Sequence, residues 1–373
     1  MNLRERILAV YRGQTPDVVP FMLDLSHWFY HSRRMPWDLS VSYQQPETEL
    51  IEYHKSVGAG FYVPNLASVM EGQYGPQVKA RTEKVTAGKD VEIVWTLQTP
   101  RGQVWRARKW SAETYSWHIS RWGVQTRSDL EVLGEALSSL TFRPLSDRYL
   151  KWVEAVGDVG VVYAVLGYSA MGQLLNYWMG VERTMYAVHD WPELVEAVVE
   201  KINHAMLGAV DVLCRLPAEI IIMGDNFSSD IQPPEFFKRW SRAFYAEAAR
   251  RIHAAGKFVA VHVDGRLRGL LRVFAELGFD CIDAVTPAPM GDLTARQCRD
   301  EAGANLILSG GVPPNLWLAD VSEHQFERAV LDWLEIRKLS PRLIANAGDQ
   351  VPPLALEHRI ARMRDLVEKQ GRY

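Results

Sequence analysis

Short apolar runs rich in valine and isoleucine recur along the chain, each stopped by turn residues and separated from the next by a helix-length stretch. There are eight: 18–24 (VVPFMLD), 61–65 (FYVPN), 159–167 (VGVVYAVLG), 219–225 (EIIIMGD), 257–265 (KFVAVHVDG), 281–287 (CIDAVTP), 305–311 (NLILSGG) and 341–349 (PRLIANAGD). Runs that are apolar throughout, rather than alternating, fit strands of a parallel sheet covered by helices. Helix starts lie between them: 233–255 follows Pro233 and Pro234, 292–302 opens at Asp292, 322–338 opens with Ser322 and Glu323, and 353–370 follows Pro352 and Pro353. The N-terminal MNLRERILAVYRGQTPD reads as an amphipathic helix ended by Gly13 and Pro16. Eight β-α units close a barrel, so the expected fold is α/β, a (β/α)8 TIM barrel with residues 1–373 as one domain. The competing arrangement is an open doubly wound sheet, which normally uses fewer strands and a Gly-rich phosphate loop after the first; no such loop follows 18–24.

One region breaks the rhythm. Residues 85–122 alternate polar and apolar positions and contain turn residues, which predicts a β-hairpin insertion after the second strand, on the rim of the barrel. Seven of the 13 tryptophans, Trp28, Trp37, Trp95, Trp105, Trp110, Trp117 and Trp122, fall in the first 122 residues, most in or beside this insertion. They either pack it onto the barrel or line an apolar pocket mouth or docking surface.

Composition narrows the function classes. With 47% hydrophobic and 23% charged residues the chain has the material for a large core, and a formal charge of -3 leaves no cationic excess for phosphate backbones, so nucleic acid is a poor partner. Three scattered cysteines, Cys214, Cys281 and Cys298, form neither a disulfide framework nor a C-x-x-C pair, and fit a reducing cytoplasm. Neither a signal peptide nor an apolar run long enough to cross a membrane is visible.

In such a barrel the reactive groups stand at the C-terminal ends of strands. Asp24 and His27 follow the first strand, Asp225 and Asn226 the fourth, His262 and Asp264 end the fifth, and Asn346 and Asp349 the eighth. Any one of these could be a helix cap or turn residue. Together they converge on one cavity, where several ionisable groups are costly unless paired or used. His262 and Asp264, two apart on a strand, point to the same side and either hold a metal or form an acid/base pair.

These strand ends resemble the uroporphyrinogen decarboxylase superfamily, which includes corrinoid-dependent methyltransferases. The resemblance is carried by MGDNFSSDIQPPEFFKRW (223–240), GKFVAVHVDG (256–265), ELGFDCIDAVTPAPMGDLTARQCRDEAGANLILSGGVPP (276–314) and AGDQVPPLALEHRIARMRDLVE (347–368). Where porphyrinogen decarboxylases carry an Arg-rich glycine loop, a Gly-His-Gly segment and a Gly-x-Pro-Trp-Thr strand end, this chain reads DLSHWFYHSRR (24–34), AGDQVP (347–352) and LGYSAMGQL (166–174). The groups that would cradle a many-carboxylate tetrapyrrole are largely missing, Arg33 and Arg34 apart. The thiol-methylating branch holds zinc with His-x-Cys and a later Cys before a proline; here these positions are His262, Asp264 and Asp349, ahead of Pro352. Two carboxylates in place of two thiolates disfavour a thiol substrate.

The resemblance therefore implies a methyltransferase that moves a methyl group between a small methylated ether or amine and a corrinoid carried by a separate protein. Its catalytic set would be His262, Asp264 and Asp349, holding zinc or acting as a metal-free hydrogen-bond network, with Asp225, Asn226, His118, Glu71 and His27 orienting the substrate. A homodimer is a compatible assembly. The alternatives are a decarboxylase acting on a different substrate and a non-catalytic tetrapyrrole-binding barrel.

Overall fold

A computed structural model of the chain describes residues 1–35, 48–62, 69–88 and 90–373. Six parallel strands form a continuous sheet in the order of the chain: Ala164–Val165, Ile220–Phe227, Phe258–Val263, Cys281–Val285, Ile307–Val312 and Leu343–Ala347. Two further segments close it. Phe21 pairs in parallel with Ala345, Met22 with Gly60, and Phe61 with Gly160. The seam is held by Met22 N–H to Ala345 O at 3.0 Å, Leu23 N–H to Gly60 O at 3.1 Å and Val161 N–H to Phe61 O at 3.0 Å. All eight apolar runs thus contribute a strand to one ring, and the open doubly wound alternative is excluded. Positions 63–65 of the second run and Trp37 lie outside the described residues. At the seam Gly160 is required by proximity: a Cβ there would lie 1.8 Å from the Phe61 carbonyl oxygen.

The period of two along each strand divides the core into two layers. Met22, Tyr62, Ile220, Ile222, Ala260, Cys281, Ile307 and Ile344 form the inner cluster with Ile7, Leu8, Val10 and Tyr11, so the N-terminal helix Leu3–Tyr11 packs against the barrel interior. Tyr11 meets Tyr163 edge-on at 6.1 Å. The intervening positions, among them Ile221, Met223, Val261, Ile282 and Leu308, pack outward against the helices. The expected helices appear with shifted ends: 233–255 is split into Pro234–Trp240 and Arg242–Ala254, and the others are Ala295–Ala302, Glu323–Glu335 and His358–Gln370. The three cysteines are unpaired.

Between the second and third barrel strands, Lys79–Ala87, Asp90–Thr99, Gly102–Ser111 and Ser116–Arg121 form a four-stranded antiparallel sheet. It begins before residue 85 because Lys79–Ala87 is an edge strand with almost every residue exposed, and a strand without a buried face shows no apolar alternation. Among the described residues no helix is long and apolar enough to cross a membrane.

Candidate active site

The inward-facing positions of the strands end in polar residues. Above Ala260 stands His262, above Cys281 stands Asp283, above Ile307 stands Ser309 and above Ile344 stands Asn346, with Tyr62 completing the layer. His262 Nδ1 lies 3.1 Å from Asp283 Oδ2. Asp283, almost fully buried, accepts on its other oxygen from the Ser309 hydroxyl at 3.1 Å. Asn346 Nδ2 donates to Tyr62 Oη and to Ser309 Oγ, both at 3.2 Å. Asp283 was not among the residues expected from the sequence. Its signal was a carboxylate inside the otherwise apolar run CIDAV, a placement that calls for a buried partner.

With Nδ1 turned toward Asp283, the Nε2 edge of His262 faces Asp349, 4.0 Å from its Oδ1. His262, Asp264 and Asp349 each place one ligand-type atom so that all lie within 4.8 Å of one another. The imidazole is 26% and the Asp349 side chain 39% exposed. Burial opposes the imidazolium, but the hydrogen bond to Asp283 and the charges of Asp264, Asp283 and Asp349 outweigh it and lift the His262 pKa to about 10. Burial also raises the pKa of Asp264 and of Asp349, the latter raised further by the charge of Asp264. Asp24 lies near enough to add to that repulsion, and its carboxylate accepts from Ser26 and, at 3.1 Å, from Gln350 Nε2. The two strands on either side of the His262 strand carry bulges, and each bulge holds a non-glycine in the left-handed region, Asn226 at φ 51° and Ala284 at φ 67°. Such positions cost on the order of 1–2 kcal/mol and re-aim the neighbouring side chains.

The other expected site residues lie apart from this cluster. Asp225 follows Ile221 and Met223 on the outward face, is 1% exposed, and accepts from Ser169 N–H at 2.6 Å and from the Ser169 hydroxyl. Ser169 caps the short helix Ala170–Gln173, and a Cβ on Gly172 would fall 2.2 Å from Asp225 Oδ1. Burial raises the Asp225 pKa to about 6 against the lowering effect of Ser169. Asn226 is half-buried in the bulge. His27 places Nε2 3.1 Å from the Tyr115 carbonyl of the antiparallel sheet, and burial lowers its pKa. Glu71 is exposed and ion-paired with Arg143 on the two-stranded sheet of Met70–Gln73 and Thr141–Pro144. His118 is exposed on Ser116–Arg121, opposite Lys109. A cleft of about 780 Å³ on the outer flank, lined in part by Pro289, Arg296, Leu316 and Arg328, contains none of the cluster; the site is marked by its chemistry rather than by cavity size.

A closed ring of eight parallel strands with its ionisable groups gathered at the C-terminal ends defines an α/β-barrel protein of the kind that builds its site from strand ends. The family model described as uroporphyrinogen decarboxylase (URO-D) matches residues 168–370, more than half of the chain, and the chain belongs to that family. Among solved structures it is similar to a methyltransferase from Methanosarcina mazei, at 15% identity and TM-score 0.64, covering 99% of each chain. No curated protein sequence matches.

Proposed function

We propose that the protein is a corrinoid-dependent methyltransferase, transferring a methyl group between a small methylated ether or amine and the cobalt of a corrinoid held by a separate protein. The observation that carries this reading is the His262, Asp264 and Asp349 cluster backed by Asp283. Removing a methyl group from oxygen or nitrogen leaves an electron pair on a poor leaving atom, which must be neutralised as the bond breaks. The donor set fits a divalent metal such as zinc. One imidazole nitrogen and two carboxylates are acceptable ligands, and Asp283 behind His262 is the further carboxylate that orients a metal-binding histidine. Three carboxylates, Asp264, Asp283 and Asp349, around one imidazole also leave an excess of negative charge that a cation would offset.

Zinc bound there would act as a Lewis acid toward the leaving heteroatom. The chain's own part is to fix the imidazole through Asp283, to keep Nε2 and the carboxylates of Asp264 and Asp349 facing one point, and to hold the methylated substrate above them. The similarity to a methyltransferase supports this reading, while membership in a family described by a decarboxylase is common to it and to the decarboxylase alternative. The test is metal analysis of the purified protein with a methyl-transfer assay to free cob(I)alamin, using methylated ethers and amines as donors. Stoichiometric zinc, and methylcobalamin formation that chelation abolishes and zinc restores, are expected. Methyl transfer that survives complete chelation would remove the metal from the reading, and no transfer from any donor would remove the function.

A further inference from the structure

Outside the cluster, the antiparallel sheet carries a cation that meets no acid among the described residues. Arg106 lies on Gly102–Ser111 opposite Trp95, and is 6% exposed. Its guanidinium carbon is 4.2 Å from the centre of the Trp95 ring, 4.3 Å from Tyr177 and 5.1 Å from Trp178. These rings occupy the faces of the guanidinium. Its donors are another matter: Nε and Nη1, one on each of the two forks that the group can offer, are buried and meet no acceptor among the described residues. Arg108, two residues along the same strand, stands 4.7 Å from the Tyr177 ring, and its buried Nε is likewise unmet. Burial, with Arg108 beside it, draws the Arg106 pKa down only to about 10, so the group stays charged at neutral pH.

Stacking alone does not account for this arrangement. A role confined to anchoring the sheet uses the ring faces and needs no dry, unpaired donors, which are among the costliest groups to leave unmatched. Either fork of an arginine matches the two oxygens of a carboxylate, and each fork of Arg106 includes one of the unmet donors. Two rings link the pair to the cluster. Tyr177 contacts Tyr168 at 4.9 Å, and Tyr168 is within electrostatic reach of Arg108 on one side and of Asp225 and Asp264 on the other. The carboxylates around His262 make a monoanion easier to admit than a dianionic phosphate.

We infer that Arg106 and Arg108 form the subsite for a carboxylate of the substrate, with Trp95, Tyr177 and Trp178 walling it and the methyl-bearing end of the same molecule facing His262, Asp264 and Asp349. This rests on the methyl-transfer reading and narrows its substrate class to small methylated carboxylic acids.

Binding is measured on the full chain without corrinoid, by tryptophan fluorescence and calorimetry, using 4-methoxybenzoate and methoxyacetate as acids and 4-methoxybenzamide as the neutral counterpart. At least one acid should bind, with 4-methoxybenzoate at least tenfold tighter than the amide, since a site built around charged donors rejects a ligand that leaves them unmet. Arg106→Gln should weaken the acid at least tenfold and bring acid and amide level; if circular dichroism shows that this variant does not fold, Arg108→Gln provides the same comparison. The inference is overturned if neither acid binds the wild-type protein, if acid and amide bind alike, or if a folded variant keeps the preference. The wild-type comparison decides even if both variants fail to fold. Acid binding without methyl transfer to cob(I)alamin would sink the proposed function and leave the subsite standing. Transfer from neutral donors with no preference for acids would do the reverse.

Discussion

Two strand ends that look alike in sequence, Gly-Asp at 224–225 and Val-Asp at 263–264, are put to opposite uses. Asp225 continues the outward series of Ile221 and Met223, lies buried at 1% exposure, and spends its carboxylate on the backbone and hydroxyl of Ser169. Asp264 continues the inward series of Ala260 and His262 and shares a cavity with Asp349. Both carboxyl groups have raised pKa values because burial disfavours their charge. Perturbed ionisation therefore does not separate a structural acid from a functional one here. What separates them is whether the hydrogen-bonding capacity is already satisfied by the fold.

The sharpest test of that distinction lies on the inward strand. His262→Ala should lower methyl transfer at least about a thousandfold, roughly 4 kcal/mol of transition-state stabilisation, in a protein that still folds and loses only about 1–3 kcal/mol of stability because the buried Asp283 is left without its imidazole partner. Asp225→Asn should leave turnover within a few-fold, because it keeps the cap on Ser169. If Asp225→Asn cost as much activity as His262→Ala, the contrast between the two strand ends would be wrong.

The residue behind the imidazole should show both kinds of effect. Asp283→Ala leaves His262 Nδ1 and the Ser309 hydroxyl without their acceptor, and should destabilise the fold by about 3 kcal/mol in denaturant unfolding. It should also weaken zinc about 10- to 100-fold in a competitive chelator titration, the usual consequence of removing the carboxylate behind a histidine ligand. Unchanged zinc affinity would leave Asp283 with a packing role only.

Asp225 offers a pH-resolved comparison. Its folded pKa of about 6 lies above the unfolded value of 3.8, so between these values the folded state binds more protons and stability falls as pH rises. A shift of that size corresponds to about 2–3 kcal/mol, fully expressed above pH 6 and absent below about pH 4. Subtracting the unfolding free energy of Asp225→Asn from that of the wild type, measured from pH 4 to 7, should isolate this slope. A flat difference would mean that Ser169 holds the carboxylate near its ordinary pKa. The smallest effect is expected from replacing Asp264 and Asp349 together with Cys, which should tighten zinc about tenfold, near 1.4 kcal/mol, if both residues reach one ion. A folded double variant with no gain would show that they do not.

The eight strands were legible because a strand buried on both faces must be apolar throughout, and the runs stand out from the amphipathic helices between them. His262, Asp264 and Asp349 were legible because they end such runs. Asp283 was passed over inside a run, where a charge is easily read as an exception. His118 and Glu71 were expected to orient the substrate, and the structure puts both at exposed strand positions, Glu71 against Arg143. The exposed edge strand Lys79–Ala87 left no apolar trace.

By itself, then, the order of apolar and polar residues determined the barrel and its helices, because burial and strand periodicity are local properties written one residue at a time, while the family came from the resemblance carried by particular segments at the strand ends. Which polar residues meet was decided only by closure. The ring brings Asp349 on the last strand beside His262 on the fifth, at 4.0 Å, and seats Asp283, Ser309 and Asn346 in one inward layer. It also turns Asp225 outward to Ser169 and leaves Arg106 among rings from a distant segment. Those meetings join residues up to hundreds of positions apart, and a pairing at that distance is fixed by strand register and shear, which no local pattern encodes.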